Sequence, residues 1–439
     1  MAARDIFSPE FKTEPYWWDA APPEPGDLSP LPASADVAII GSGYCGLAAA
    51  LELVRAGVEV AVLEAGRLGE GASTRNGGMV GGAVKPDWLG LAQRLGQARA
   101  DELRDGARAS FELLEGLIAR ERLDADYQRT GRFLAACNPH QWRILEAQAR
   151  ALGADLAKVR LVPREAQHAE IGSDLYCGGL VIEESGAVDA AKLHRGLRRA
   201  AEAAGAGLYG RAAVRRLDRE AAGFRLETAR GRLCAKEVLV ATNGYTGALT
   251  PALRRRVVPV ASYIIATEPL PAELARKLSP RGRMFVDGNR LLAYFRLAPD
   301  GRRVLFGGRV AYRDLDERAA ARALHRKMCR VWPEAQPYRV THSWRGNVAF
   351  TFDRLPHMGV QNGGSQDGVH YAMGCNGSGV AIATYLGHQS AQKLLGRQNR
   401  PCPFDSLPFP TRPLYDGRPW FLPVAGAWFR LRDALDGWR

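Results

Sequence analysis

The chain has 439 residues, of which 46% are hydrophobic, and a formal net charge of +13. A chain of this length exceeds what one simple core usually holds, so two intertwined domains are expected. The start of the sequence lacks a basic segment followed by an apolar one, and later apolar runs are interrupted by charge. These features argue against secretion and against a transmembrane helix.

The seven cysteines are odd in number and scattered, without the closely spaced pairs of a metal site. They predict reduced thiols, a cytoplasmic location and no metal. All but 8 of the 60 basic residues are arginine. Because no aromatic residues interleave the basic runs, nucleic-acid binding is not expected, whereas attraction of an anionic substrate stays open.

Residues 1–35 predict an extended arm. Prolines at positions 22, 23, 25, 30 and 32 follow the aromatic cluster Tyr16-Trp17-Trp18. The prolines disfavour regular structure, and the aromatic side chains are expected to pack onto the body of the protein.

Residues 36–82 follow the order of a dinucleotide-binding unit. An apolar strand at 36–40 leads through a Gly-rich turn into a helix at 47–57 and a second strand at 58–63. Gly41, Gly43 and Gly46 suit a tight turn, the approach of a pyrophosphate to the helix N-terminus and close packing of helix on strand. Glu64, at the end of the second strand, suits a pair of ribose hydroxyls and would repel a 2′-phosphate.

The segment 65–78 indicates which dinucleotide is bound. Residues 71–78 offer Ser, Thr, Arg and Asn donors together with glycines. Such a loop suits close wrapping around a pyrophosphate and the edge of a large ring system, and the alternative is a polar surface turn. Because no second dinucleotide fingerprint follows, FAD alone is favoured over FAD with a nicotinamide.

The remaining elements alternate between helical and strand patterns. Val-, Tyr- and Phe-rich strands dominate 250–341 and predict an antiparallel sheet. Helices are predicted at 101–122, 190–205 and 380–395, and strands at 132–136, 179–182, 213–217, 224–227, 237–241, 257–267, 291–297, 303–310 and 369–373.

Together with 186–189, 241–246 and 374–380, these motifs resemble the FAD-dependent D-amino-acid oxidase superfamily, whose members oxidise C–N bonds of amines and amino acids. Residues 294–309 and 344–356 resemble its γ-glutamylputrescine oxidase subgroup. The resemblance implies an α/β (α+β) fold, in which a Rossmann-like FAD-binding domain is interleaved with an antiparallel-sheet substrate domain. The expected division is an arm at 1–35, an FAD-binding domain at 36–85, 183–249 and 342–397, a substrate-binding domain at 86–182 and 250–341, and a tail at 398–439.

The resemblance also implies the site residues. The segment from 374 into the following helix is expected to face the pyrimidine edge of the flavin, where the helix dipole would stabilise its reduced anion. Substrate-binding residues are expected to be Tyr263, Tyr294, Arg309, Trp344 and Asn376. Cofactor-binding residues are expected to be Gly41, Ser42, Gly43, Tyr44, Cys45, Gly46, Glu64, Ala65, Arg67, Ala72, Ser73, Thr74, Arg75, Asn76, Gly77, Gly78, Met79, Val214, Ala241, Thr242, Gly346, Asn376, Gly377, Ser378, Gly379 and Val380.

Two departures from the superfamily bear on substrate and cofactor. Val348 stands where its amino-acid oxidases usually place an arginine for the substrate carboxylate. A polyamine-derived amine is therefore favoured over a simple α-amino acid. No cysteine lies near Ser343 and Trp344, where sarcosine oxidases bind their flavin covalently. FAD is therefore predicted to be noncovalent, with Cys375 as the nearby thiol that would contradict this.

The predicted reaction is oxidation of an amine to an imine by hydride transfer to flavin N5, without an assigned catalytic base. Oxygen and another electron acceptor both stay open, as does the oligomeric state, and no membrane contact is expected. The alternatives are a D-amino-acid or sarcosine-like dehydrogenase or oxidase, and a flavin-bound interaction protein without turnover.

Overall fold

The computed structural model describes residues 5–84, 88–151, 158–309, 315–398 and 400–436. The strands within these ranges are β1 (Phe7–Lys12), β2 (Ser34–Ile40), β3 (Val60–Leu63), β4 (Met79–Gly81), β5 (Arg132–Ala135), β6 (Val159–Val162), β7 (Gly179–Ile182), β8 (Ser185–Ala187), β9 (Gly207–Tyr209), β10 (Val214–Glu220), β11 (Gly223–Thr228), β12 (Gly231–Val240), β13 (Val257–Thr267), β14 (Met284–Asp287), β15 (Ala293–Leu297), β16 (Val304–Gly308), β17 (Val340–Thr351), β18 (His357–Val360) and β19 (His370–Met373). The helices are α1 (Tyr44–Arg55), α2 (Trp88–Leu95), α3 (Gln97–Arg120), α4 (Pro139–Ala151), α5 (Ala190–Ala203), α6 (Pro251–Arg254), α7 (Ala272–Leu278), α8 (Glu317–Val331), α9 (Gly379–Leu394) and α10 (Leu422–Asp436).

One sheet is mixed and contains the two strands predicted from the nucleotide-binding motif. In the described residues it has the order β10-β11-β12-β2-β3-β9, and β19 pairs with both β12 and β18. The strands β12, β2, β3 and β9 run parallel, and α1 provides the crossover between β2 and β3. Adjacent parallel strands need such a crossover because the chain must return to the edge of the sheet where the first strand began, which a short turn cannot do.

The other large sheet has the order β1-β17-β13-β16-β15-β14-β5-β7-β6 within the described residues. Its centre, from β17 to β14, is antiparallel, as predicted for 250–341. The strand β17 lies in this sheet, whereas the predicted division assigned residues 342–351 to the FAD-binding domain. The other predicted boundaries stay predictions, and position 310 of the predicted strand 303–310 lies outside the described residues.

Hydrophobic cores lie between these sheets and the helices that cover them. Helices α1, α3, α5 and α9 cover the mixed sheet, with Leu51, Leu114 and Leu386 almost fully buried. Helix α8 covers the antiparallel sheet, where Leu324 and Phe306 have no exposed surface. The face of the antiparallel sheet that α8 leaves free is therefore the one available to a site.

Both ends of the described chain are attached to this body. The arm forms β1, which runs parallel to β17, and then buries Trp17 and Trp18. In the tail, Phe404 is buried in the core of α1, α3 and α9, and the hydroxyl of Tyr415 donates to the carbonyl of Val257 at 2.7 Å. Within the described residues, no helix combines the length and apolar character that crossing a membrane requires.

Candidate active site

The Gly-rich turn is as tight as its sequence predicts. Gly41 adopts φ +108°, a conformation that L side chains rarely take. A methyl group on Gly46 would lie 2.0 Å from the carbonyl oxygen of Gly41, so only glycine lets α1 pack this closely. Gly43 is extended and leads directly into α1. The unpaired N–H groups of the first helical turn favour an anion at this point.

Glu64 faces the Gly-rich turn from the end of β3. Its carboxylate accepts hydrogen bonds from the backbone N and the Oγ of Ser42, at 3.0 and 2.7 Å, and from the backbone N of Gly66 at 3.2 Å. The adjacent Ala65 is exposed, and Arg67 pairs with Glu70 at 3.4 Å. Ribose binding by Glu64 stays a prediction.

Three tryptophan indoles hold consecutive residues of the loop after β3. Trp18 Nε1 donates to Thr74 Oγ1 at 2.9 Å, and Trp17 Nε1 donates to the carbonyl of Asn76 at 2.8 Å. Trp344 Nε1 donates to the carbonyl of Arg75 at 3.0 Å. We call these three side chains the indole clamp. Because two of them come from the arm and one from β17, the clamp joins three distant parts of the chain.

Trp344, predicted to bind substrate, lies away from the cavity in this structure. The indole is fully buried among Trp17, Trp18 and Ile264, and it is not among the residues that line the cavity. It contacts the loop instead, because the arm and residues 72–75 cover this part of the sheet.

Further polar contacts fix the conformation of the same loop. Ser73 Oγ accepts from the backbone N of Tyr44 at 3.0 Å. The side-chain amide of Asn76 donates to the carbonyl of Ser73 at 2.9 Å and accepts from the backbone N of Gly78 at 2.8 Å. The guanidinium of Arg296, whose pKa burial lowers to about 10, donates to the carbonyl of Gly78 at 3.1 Å. Arg296 lies in the segment 294–309 that carried the family resemblance, but the pattern of that segment did not indicate that Arg296 would contact this loop.

A cavity lies between this loop, the start of α9 and the free face of the antiparallel sheet. The predicted residues that line it are Tyr44, Ala72, Ser73, Arg75, Asn76, Gly77, Met79, Tyr294, Arg309, Gly346, Gly377, Ser378, Gly379 and Val380. Residues that line it but were not predicted as site residues are Gly81, Arg132, Asn243, Ser262, Val286, Leu292, Asn347, Val348, Phe350, Cys375 and Ala383.

The cavity is cationic and partly aromatic. Three arginines, Arg75, Arg132 and Arg309, line it, and its described lining contains no Asp or Glu. The guanidinium of Arg309 lies 4.5 Å from the ring centroid of Phe350. The hydroxyls of Tyr294 and Ser262 are 2.9 Å apart, and burial raises the pKa of Tyr294 to about 12. Tyr294 therefore stays protonated at ordinary pH.

Two further predicted substrate residues point elsewhere. Tyr263 has no exposed surface and lies in the core beneath α8, where its hydroxyl donates to the carbonyl of Leu315 at 3.0 Å. Side chains alternate between the two faces of a strand, so Ser262 reaches the cavity and Tyr263 does not. The side chain of Asn376 also turns inward, accepting from the backbone N of Thr351 at 3.0 Å.

The Gly-rich segment before α9 contributes backbone to the cavity. Asn243 ties it to the end of β12, since its side chain accepts from the backbone N of Gly374 at 2.9 Å and donates to Cys375 Sγ at 3.2 Å. Ala241 donates to the carbonyl of Ile40 at 2.9 Å, beside the Gly-rich turn. Val214 begins β10 and does not line the cavity, so its contact with adenine stays a prediction.

Fold and site together define a flavin-dependent oxidoreductase. Residues 36–393 match the family of FAD-dependent oxidoreductases named DAO, and the chain belongs to this family. The resemblance stated from the motifs is confirmed, as are the fold class, the enzymatic character and the use of FAD.

Particular relatives are also similar over nearly their full length. The chain is 33% identical over 407 residues to γ-glutamylputrescine oxidoreductase of Escherichia coli strain K12, covering 92% of this chain and 93% of the relative. It is 32% identical to the probable oxidoreductase OrdL of Rhizobium meliloti strain 1021, covering 95% and 97%. The crystal structure of glycine oxidase from Geobacillus kaustophilus superposes with a TM-score of 0.73 at 22% identity, covering 87% of this chain and 99% of that one. That likeness concerns the fold alone.

Proposed function

We propose that the protein oxidises a C–N bond of an amine of the γ-glutamylputrescine type to an imine, with FAD bound noncovalently. The observation that carries the proposal is the cavity: three arginines and an aromatic wall line it, and its described lining has no carboxylate. The 33% identity to γ-glutamylputrescine oxidoreductase supports the choice of substrate class.

The residues present fit FAD. The tight turn at Gly41 and Gly46 opens the N-terminus of α1 toward an anion, and Glu64 stands beside it at the end of β3. The clamped loop and the start of α9 line the cavity with backbone and small side chains. We infer that these segments hold the dinucleotide. When bound there, FAD supplies a hydride acceptor.

The cavity favours the neutral form of an amine. Nearby positive charges and apolar walls both disfavour an ammonium ion, so they lower the pKa of a bound amine. Arg75 and Arg309 supply this charge, and Val348 and Phe350 supply apolar surface. A neutral nitrogen keeps its lone pair free to assist cleavage of the adjacent C–H bond.

The hydroxyls of Tyr294 and Ser262 are suited to orienting the substrate. They form a pair in the cavity wall at 2.9 Å, and either one can donate. Because the pKa of Tyr294 is raised to about 12, its hydroxyl offers a proton for hydrogen bonding without releasing it. We therefore assign it a positioning function and not that of a base.

Val348 supports an amine over an α-amino acid. It lies in the cavity wall on β17 and cannot pair with a carboxylate next to the reacting carbon. Sarcosine-like and D-amino-acid substrates are the competing class. Cys375 is the thiol in the cavity wall, and its contact with Asn243 leaves noncovalent FAD as our expectation.

The test is anaerobic reduction of the holoenzyme. We expect the flavin absorbance near 450 nm to bleach with γ-glutamylputrescine, and much less with glycine, sarcosine or D-alanine at equal concentration. Bleaching by the amino acids alone would reject the substrate class, and no bleaching with any amine would favour a binding protein without turnover. Acid precipitation should release the FAD, whereas a coloured pellet would show a covalent bond.

A further inference from the structure

Arg132 is partly buried, and it differs from the buried arginines Arg283 and Arg296. It begins β5 and lines the cavity. Its Nε is buried without a hydrogen-bond partner, and the described residues provide no ion pair for its guanidinium. By contrast, Arg283 pairs with Glu170 and Glu183, and Arg296 donates to two backbone carbonyls.

The surroundings of Arg132 offer no compensating charge. Burial lowers the pKa of Arg132, and no nearby carboxylate acts to raise it. Val286 and Leu292 are among its companions in the cavity wall. The guanidinium nevertheless stays protonated, since arginine is not deprotonated in proteins. The protein therefore maintains an unpaired cation in an apolar part of the cavity, an arrangement that costs stability.

A second polar atom without a partner lies close to the same point. A methyl group on Gly81 would be 3.6 Å from Arg132 Nη1 and 3.3 Å from Ser185 Oγ, and that hydroxyl is buried without a hydrogen bond. Unpaired buried polar groups are rare in folded proteins and often mark sites that act on a ligand. An anion small enough to enter the cavity would supply Arg132 with both a countercharge and hydrogen-bond acceptors.

We propose that Arg132 binds a carboxylate of the amine substrate and thereby determines specificity. The proposal rests on the proposed amine oxidation and adds the residue that recognises the acidic part of the substrate. A guanidinium binds a carboxylate through two parallel hydrogen bonds, which combine charge with orientation. The cation reaches the cavity from β5, not from β17, where Val348 stands. The enzyme thus selects amines that carry a carboxylate, although it lacks the expected arginine.

The position of β5 suits a carboxylate remote from the reacting amine. In the sheet, β14 separates β5 from β15, which carries Tyr294. Two strand spacings amount to roughly 10 Å. An α-amino acid separates its amine from its carboxylate by only one carbon, whereas γ-glutamylputrescine places a long chain between them.

The experiment uses a matched pair of substrates and a matched set of variants. The substrates are γ-glutamylputrescine and its carboxamide analogue, which has the same length and lacks the negative charge. For the wild-type holoenzyme we expect kcat/KM to be roughly 10- to 100-fold higher with the acid. In Arg132→Met this preference should vanish through a raised KM for the acid, with the carboxamide changed by less than about threefold. Arg132→Lys should retain part of the preference.

Direct binding separates this proposal from the proposed function. Glutarate, which has no amine, should perturb the flavin spectrum of the wild-type holoenzyme and should bind at least about tenfold more weakly to Arg132→Met. Arg129→Met is the control, because it removes an exposed guanidinium that does not line the cavity. It should leave both readouts unchanged. If neither substrate is oxidised but glutarate binding depends on Arg132, the proposed function fails and the anion site stands.

Any of four results would overturn the proposal. Arg132→Met could retain the preference for the acid, it could lose both substrates equally, or it could bind FAD more weakly than the wild type. The last result would assign the guanidinium to the cofactor. An unaltered glutarate affinity would also reject the site.

Discussion

Trp344 Nε1 lies 3.0 Å from the main-chain oxygen of Arg75, and this hydrogen bond joins the antiparallel sheet to the loop expected to enclose the cofactor. The sequence separation is 269 residues. A residue that motif matching assigned to the substrate therefore acts on the conformation of the loop.

Trp344→Phe should weaken FAD binding. The substitution leaves the Arg75 carbonyl without its buried donor, at a cost of about 1–3 kcal/mol. If the loop needs this contact to enclose the cofactor, the Kd for FAD should rise about tenfold. Titration of the apoenzyme followed by flavin fluorescence measures the change.

Trp332→Phe is the matched control. Its indole is equally buried, but its Nε1 has no hydrogen-bond partner and it lies in the core beneath α8. This variant should retain the wild-type affinity for FAD. Equal losses in both variants would mean that packing, not the hydrogen bond, accounts for the effect.

Gly46→Ala should abolish cofactor binding. Its new methyl group would lie 2.0 Å from the Gly41 oxygen, so the turn and α1 must separate. We expect the purified variant to be colourless and to take up no added FAD. Gly116→Ala serves as the control, since nothing lies within 4 Å of its added methyl group, and it should raise stability by about 0.5–1 kcal/mol. A yellow Gly46→Ala protein would contradict the assigned role of this turn.

The pH dependence of kcat should show the effect of the cavity on the amine. A free aliphatic amine has a pKa of about 10, and we expect the rising limb of kcat to lie at least one unit lower in the complex. Arg309→Met should move this limb to higher pH, because it removes a positive charge from the cavity wall.

Ionisation of Tyr294 should not appear in the pH profile of kcat below pH 10. Its pKa is raised to about 12, so it stays protonated throughout this range. Tyr294→Phe should therefore lower kcat/KM while leaving the rising limb where it was. If a limb of the wild-type pH profile is absent from the profile of Tyr294→Phe, Tyr294 would be identified as a base.

Arg283→Met should destabilise the protein by about 3 kcal/mol, because it leaves Glu170 buried with less compensation. Lys277→Met removes a more exposed pair with Glu334 and should cost less than about 1 kcal/mol. Chemical denaturation of the holoproteins compares the two. Similar losses would contradict the distinction between buried and exposed pairs.

The second ion pair of Arg283, with Glu183 at 2.8 Å, should make part of the stability depend on pH. The hydrogen bond from Arg283 lowers the pKa of Glu183 below its usual value of 4.5. This carboxylate therefore contributes stability above that value, and the contribution disappears as the pH falls through the lowered pKa. Wild-type protein should lose more stability than Arg283→Met between pH 5 and 3. The free energy of unfolding at each pH provides the comparison.

The sequence predicted elements whose signals are local. The Gly-rich turn, the strands around it and the antiparallel sheet follow from short patterns of glycine and apolar residues. Even so, α1 begins at Tyr44 and not at 47, since the turn passes directly into the helix.

Side-chain orientation could not be predicted, because it depends on which face of the sheet α8 covers. Successive side chains of a strand point to opposite faces of the sheet, so Ser262 reaches the cavity and its neighbour Tyr263 lies in the core. Arg132 had one available signal, a charge at the start of a predicted strand, but its unpaired state emerges only from the packing of β5, β4 and β8.

Because Phe7 pairs with Val340, β1 cannot join the sheet until β17 has been synthesised. The ribosome makes the arm first, yet its partner strand emerges only after most of the chain has been translated. Until then Trp17 and Trp18 have no complete docking surface, since Trp344 is also late. Such long-range pairing slows folding, and aromatic groups that stay exposed until the final strands arrive favour aggregation.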